Sequence, residues 1–504
     1  MNETIPQIYA PSLYWFAYQY HEGLVISADA TAKKSLPQSN ARVNPEWVKG
    51  EYEKILKAFQ ISLDFSIRTD RPSRQFDLLE NSDAETGRRY AYFTTEDEKS
   101  DRDNLEGFIY PQCLHDTYAL NLNIFCPENL GNDEYAVADL GKFNPKNCFN
   151  PPSDHALGYL GKTLLLSAYL KQSPPENVHD LDDLAKQCWL SFFNLNQPDS
   201  LEKFPPLYRA ARWFGGCLYE YGNPRADLTE NPYGHLLIWF LFDERPTLLL
   251  QKCYWELPEL LLYYHKVTKI FQDSRVFYAR ADKIVKKHET ELNQLDGDYL
   301  NQETRTTLAE SELQTLKITL KNLLKTSLTY SQQLRNLEYA QNTIAINTKN
   351  YQATLDYMAE LAASPLEMFQ VFGEKEAVAF QAQIRADLNY FKQGYSLLDT
   401  AISSIRGLVE IDQAEGDRNI DRNIAILGFG IGSAGVVASA SASYAEEIQE
   451  IWPVHHYLKL WQLNHQQSHL AIGLNFSLLA GALASLITAG VIQLFKRRRP
   501  NMKK

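Results

Sequence analysis

The sequence predicts three successive parts: an α+β or α/β domain over residues 1–271, a helical coiled-coil stalk over 272–423, and two C-terminal transmembrane helices within 424–504. Three observations predict them. Residues 424–443 and 470–495 are uncharged runs of 20 and 26 residues, and about 20 helical residues cross a bilayer core. Proline is absent from 259–364 and from 366–452 in a chain with 22 prolines, as long helices require. Upstream of residue 272 the pattern alternates between strand-like and helix-like segments.

In the first part, residues 13–20, 90–94 and 118–124 read as strands. Tyr118, Leu120, Leu122 and Ile124 fall on one face, with Asn121 and Asn123 on the other. Residues 236–242 form a continuous apolar run, as a buried strand does. Residues 157–170 and 181–193 read as helices, and 81–106 as a charged surface loop. In the stalk, a turn at Asp296-Gly297-Asp298 is followed by apolar residues at steps of three and four: Leu313, Leu316, Leu320, Leu323, Tyr330, Leu334, Leu337, Ile344, Tyr351, Leu355 and Met358. Ser327, Gln341 and Thr348 interrupt that seam. After Ser364-Pro365 the pattern repeats at Ile384, Leu388, Phe391, Tyr395, Leu398, Ile402, Ile405 and Val409. No proline separates this last helix from the first apolar run.

The chain carries 50 basic and 62 acidic residues, formally −12, which argues against nucleic acid as the main partner. Basic residues cluster at Arg418 and Arg422 before the first run and at Lys496-Arg497-Arg498-Arg499 after the second. The loop 444–469 between the runs holds one, Lys459. By the positive-inside rule both termini are expected on the cytoplasmic side of the plasma (inner) membrane. The six cysteines lie in the first half with no Cys-x-x-Cys, and the opening residues have no apolar leader, so reduced thiols are expected.

Few motifs carry chemistry. Residues 156–163 (ALGYLGKT) fit a relaxed phosphate loop with Ala156 as its first position, and residues 237–244 (LIWFLFDE) an apolar strand ending in acids. The phosphate loop needs a preceding buried strand, which Pro151-Pro152 forbids, so an ordinary helix start is expected there. Cys113-x-His115-Asp116 is a candidate thiol–imidazole pair or half a zinc site, and no second Cys/His pair answers it. His155, His235 and His265 stand alone, and structural roles are expected. No catalytic residue is assigned.

The layout of 259–499 resembles the CorA-type divalent-cation transporters. The resembling features are long stalk helices, a last stalk helix entering the first of two apolar runs, and the basic tail after Phe495. That resemblance implies a divalent cation as cargo and a pentameric homo-oligomer. The family's Gly-Met-Asn tripeptide has no counterpart at Ser441-Ala442-Ser443-Tyr444, and Gly473-Leu474-Asn475-Phe476 opens the second run instead. Helical spacing aligns Asp417, Asp421, Ile424, Gly428 and Gly432 on one face, making them pore- or axis-facing candidates. Gly428 and Gly432 equally suit close helix packing, as do Ser477, Gly481 and Ser485. Glu446, Glu447, Glu450 and Asn475 are candidates for an outer mouth. Two functional expectations follow. One is an oligomeric CorA-like membrane protein passing cations under cytoplasmic control. The other is a membrane-anchored sensor or effector, whose first domain binds a small-molecule or protein ligand and whose helices anchor in, or disrupt, membrane lipid.

Overall fold

The computed structural model describes residues 7–21, 45–68, 74–80, 89–95, 105–126, 134–151, 158–195, 202, 204–295 and 310–413. The chain divides into two compact units, 1–277 with 338–386, and 278–337 with 387–504.

The first unit is organised by one long strand, β1 (Gln7–Tyr20), whose alternating side chains are buried on both sides. It pairs antiparallel with β6 (Thr117–Phe125) along one edge and with β8 (Tyr159–Tyr169) along the other. β8 pairs in parallel with β11 (His235–Leu241), which continues antiparallel to β10 (Gly216–Tyr221) and β9 (Leu207–Trp213). The far side is completed by β2 (Gln75–Asp77), β3 (Ala91–Thr94), β4 (Glu106–Ile109), β5 (Gln112–Leu114) and β7 (Glu134–Ala136). The result is an 11-stranded mixed sheet, with β2-β5-β6-β1-β8-β11-β10-β9 as its main path.

The two faces of that sheet bury different chemistry. Leu13, Trp15, Leu120, Leu122, Leu164, Leu166, Ile238 and Phe240 join one aliphatic–aromatic core. Two helices contribute to it. α1 (Glu46–Ala58) buries Val48, Tyr52, Ile55 and Leu56 at helical spacing, and α2 (Asp182–Phe192) buries Ala185, Cys188, Trp189 and Phe192. On the opposite face Tyr18 donates from its hydroxyl to Pro258 O at 2.8 Å, at the start of a longer helix. After the short α3 (Arg245–Cys253), α4 (Leu257–Leu295) begins there. α5 (Glu310–Ala362) follows, then the short α6 (Glu367–Val371), a π-turn over Phe372–Glu376, and α7 (Ala377–Gln413).

The second unit is helical in its described residues, with Leu316, Leu320 and Leu323 clustered against Leu398, Ile405 and Val409. Tyr330 donates its hydroxyl to Phe391 O at 2.7 Å and stacks on Tyr395 at 6.2 Å.

Three expectations are corrected. Residues 157–170 are not a helix: β8 occupies 159–169. A central strand buried on both faces shows a continuous apolar run, and Leu164-Leu165-Leu166 carries no period to separate that from a helix. The fold class with two C-terminal transmembrane helices is replaced by the mixed sheet with long helices. No helix among the described residues is long and apolar enough to cross a membrane, and 424–443 and 470–495 lie outside the described residues. The integral-membrane placement and the ion-transport assignment lose their basis by the same finding.

Candidate functional site

Four strands and one helix of the first unit bring together a chain of buried polar side chains. On β8, Thr163 points away from the aliphatic–aromatic core, and parallel register sets His235 of β11 directly beside it. α4 supplies His265. Thr163 Oγ1 lies 3.0 Å from His235 Nδ1 and 2.8 Å from His265 Nε2. His235 Nε2 lies 3.2 Å from Glu220 Oε1 on β10. Glu220 faces its cross-strand partner Arg209 on β9, with Nε 3.7 Å from Oε2, and Arg209 Nη1 donates to Met368 O at 2.9 Å. Thr163 is fully buried, and His235, His265 and Glu220 are each at most 6% exposed.

Counting protons assigns the tautomers. A carboxylate only accepts, so His235 Nε2–H donates to Glu220. The neutral ring then accepts at Nδ1 from the one Thr163 hydroxyl proton. The Thr163 oxygen in turn accepts from His265 Nε2–H, leaving a lone pair on His265 Nδ1. Burial, then the neighbouring His235 ring, hold the His265 pKa well below its ordinary 6.5. Burial thus disfavours charge on His265.

Local sequence makes room for this arrangement. Gly161, at φ +147°, lies against the His265 ring, and a Cβ there would come within 2.4 Å of Nδ1. Tyr264 stacks on His235 with ring centroids 4.3 Å apart, and Phe372 of the π-turn lies 4.4 Å from Tyr264. Two cavities adjoin the chain of side chains. One, of ≈ 10 Å³, lies among Arg209, Glu220, His235, Tyr264, Tyr351 and Phe372. The other, of ≈ 40 Å³, is lined by Gly161, Asn223, His265, Thr268 and Gln272, among others. Thr163 lines neither cavity. The Thr–His–Glu order matches a nucleophile, base and orienter, yet the hydroxyl has no substrate access and is already bonded to two imidazoles. The arrangement ties side chains of four strands and one helix together.

The residues singled out in sequence land elsewhere. Lys162 sits within β8 rather than in a phosphate loop, and its Nζ donates to Phe149 O at 2.5 Å. Burial lowers its pKa to about 8. Asp243 Oδ1 accepts from Arg245 N at 2.9 Å, as a turn residue does. Cys113 pairs with His21, not His115: Sγ lies 3.3 Å from His21 Nε2, while His115 turns to Gln75 and Tyr263. Among the described residues no group of three His, Cys, Asp or Glu side chains could hold a metal ion. His155 and the candidates Asp417, Asp421, Ile424, Gly428, Gly432, Glu446, Glu447, Glu450, Asn475, Ser477, Gly481 and Ser485 lie outside the described residues. Sequence reasoning missed Arg209, Glu220 and His21 altogether, and read His235 and His265 as isolated. One signal was present: each of those two histidines borders an apolar stretch, HLLIWFL and LLLYYH.

Comparison with protein-family models, curated proteins and solved structures finds no match. The geometry alone carries the functional reading.

Proposed function

We infer that the first unit is a sensing module that binds a small-molecule or protein ligand without chemically transforming it. The observation that carries this is the Arg209–Glu220–His235–Thr163–His265 chain. It ties β9, β10 and the parallel β8–β11 pair to α4, beside cavities too small for a metabolite and a nucleophile together. A ligand that moves one member repositions hydrogen bonds on all of those elements. Thermal melting of the full chain against nucleotides, amino acids and divalent salts tests it. At least one ligand is expected to raise the melting temperature and slow amide exchange in β8, β11 and α4. Turnover of an ester or of ATP, abolished by Thr163→Ala or Lys162→Ala in a folded chain, would overturn it.

Self-association is a second element of the proposal. On the part of α5 in the first unit the exposed Ile346 and Tyr357 fall within roughly 20° of one another at 100° per residue. Sedimentation of the full chain across concentrations tests it, and a monomer throughout would remove it.

A further inference from the structure

The ≈ 40 Å³ cavity has a size and a wall chemistry that together narrow what it can take. A buried water needs roughly 10–15 Å³, so the space equals about three waters, or three non-hydrogen atoms. Its inner wall is the His265 ring against Gly161. The proton count above leaves a lone pair on Nδ1 there. Gln272 donates its Nε2 to Ala226 O at 2.5 Å, which leaves its Oε1 as a second acceptor. Asn223 is exposed at the outer side, and its Oδ1 accepts from Arg225 N at 2.9 Å, which leaves the Nδ2 donor. No carboxylate lines the cavity, and the one lysine in its wall, Lys162, directs its ammonium to Phe149 O. A cation would find no counter-charge there, and an anion would meet lone pairs; both lose hydration without compensation. A neutral group that donates inward and accepts outward is the complement.

The geometry points to a binding site for a planar amide-type edge, N–C=O or N–C=N, carried by a small neutral ligand. Its N–H is donated to His265 Nδ1 and its acceptor atom faces Asn223. This rests on the sensing role inferred above and names the ligand chemistry for it. Carboxamides and nucleobases both present such an edge, and the test separates them.

The experiment uses the full chain with ¹⁵N-labelled histidine, titrated in one arm with nicotinamide and in the other with adenine. A saturable shift of the His265 Nδ1 resonance is expected with at least one probe, and the responding arm identifies the source. Ala226→Leu, at the cavity wall, should weaken that response at least tenfold in a chain that still melts cooperatively. Leu228→Phe narrows the same space from another position and covers the case in which Ala226→Leu does not fold. No shift with either probe up to its solubility limit overturns the site. So does a shift of undiminished affinity in the folded plugged variant. Ligands found by melting that leave His265 Nδ1 unmoved would sink this site while the sensing role stands.

Discussion

The buried polar side chains of the sheet and those along α5 solve the same problem in opposite ways. In the sheet they bond to one another: Glu220 to His235, His235 to Thr163, Thr163 to His265. Along α5 three polar side chains bond to backbone carbonyls instead. Tyr330 donates to Phe391 O, Asn347 to Thr343 O and Thr348 to Ile344 O, all at 2.7 Å. A backbone carbonyl is fixed by secondary structure, so each of those bonds stands or falls alone. A side-chain partner can rotate, change protonation or be displaced, so loss of one member leaves the next unsatisfied. The sheet network is therefore coupled, and the helical polar groups are independent. Coupling is what a sensing site needs.

The largest expected effect breaks the coupled side at its centre. His235→Leu leaves the Glu220 carboxylate and the Thr163 hydroxyl without their shared partner in a fully buried setting. It should cost roughly 4 kcal/mol of unfolding free energy, read by urea denaturation. A loss below about 1 kcal/mol would mean that water reaches the network and that its members are not linked as described.

Acid should separate the two regions next. The His265 pKa in the folded chain is lowered, so the unfolded chain takes up a proton as pH falls below 6.5 while the folded chain does not. Stability is then lost on acidification from pH 6.5 downward, by up to about 1.4 kcal/mol per pH unit, until the folded-state pKa is reached. Above pH 7 the ring is neutral in both states and contributes no slope. His265→Gln should flatten this part of the profile, measured as urea midpoints between pH 5 and 8. An unchanged slope in that variant would assign the acid sensitivity to other groups.

Lys162 gives an expectation of opposite sign. Burial lowers its pKa from 10.5 to about 8, a penalty of about 3 kcal/mol at neutral pH. Its charged hydrogen bond to Phe149 O returns about 2 kcal/mol. Lys162→Met should therefore raise stability at pH 7 by about 1 kcal/mol. A loss of 2 kcal/mol or more would show that the ammonium has a role beyond that single bond.

The same contrast explains what could be read from the sequence. The seam was legible because it is local. Leu316, Leu320, Leu323, Leu337 and Ile344 repeat at helical spacing, and all are buried. β6 was legible because alternation needs only nine consecutive residues. β8 was not, since Leu164-Leu165-Leu166 puts apolar residues on both faces, whereas β6 sets Asn121 and Asn123 opposite its apolar face. The network was illegible for a different reason. Its bonds join residues 72 and 102 positions apart, and no propensity or motif couples His235 to Thr163 before the sheet order is known. Cys113 shows the hazard of proximity in sequence: His115 is two residues away, while the bonded imidazole is His21, 92 residues distant. The apolar C-terminal runs were the most conspicuous local signal and sit beyond the described residues.

The smallest expected effects sharpen the comparison most, because they concern interaction energies rather than losses. In the sheet, Thr163→Val and His265→Gln each remove part of one hydrogen-bonded chain, so their double variant should fall short of the summed single effects by about 1–2 kcal/mol. On α5, Tyr330→Phe and Thr348→Val remove bonds to separate carbonyls, Phe391 O and Ile344 O, from positions 18 residues apart in sequence. Each should cost about 1 kcal/mol, and the double variant should equal their sum within about 0.3 kcal/mol. Both cycles can be read from urea midpoints at pH 7, where His265 is neutral in the folded and unfolded chains and adds no proton uptake. Additivity in the sheet would dissolve the network into separate pairs and remove the physical basis for sensing. Non-additivity along α5 would mean that the helix transmits strain between the two positions, making it part of the responding machinery.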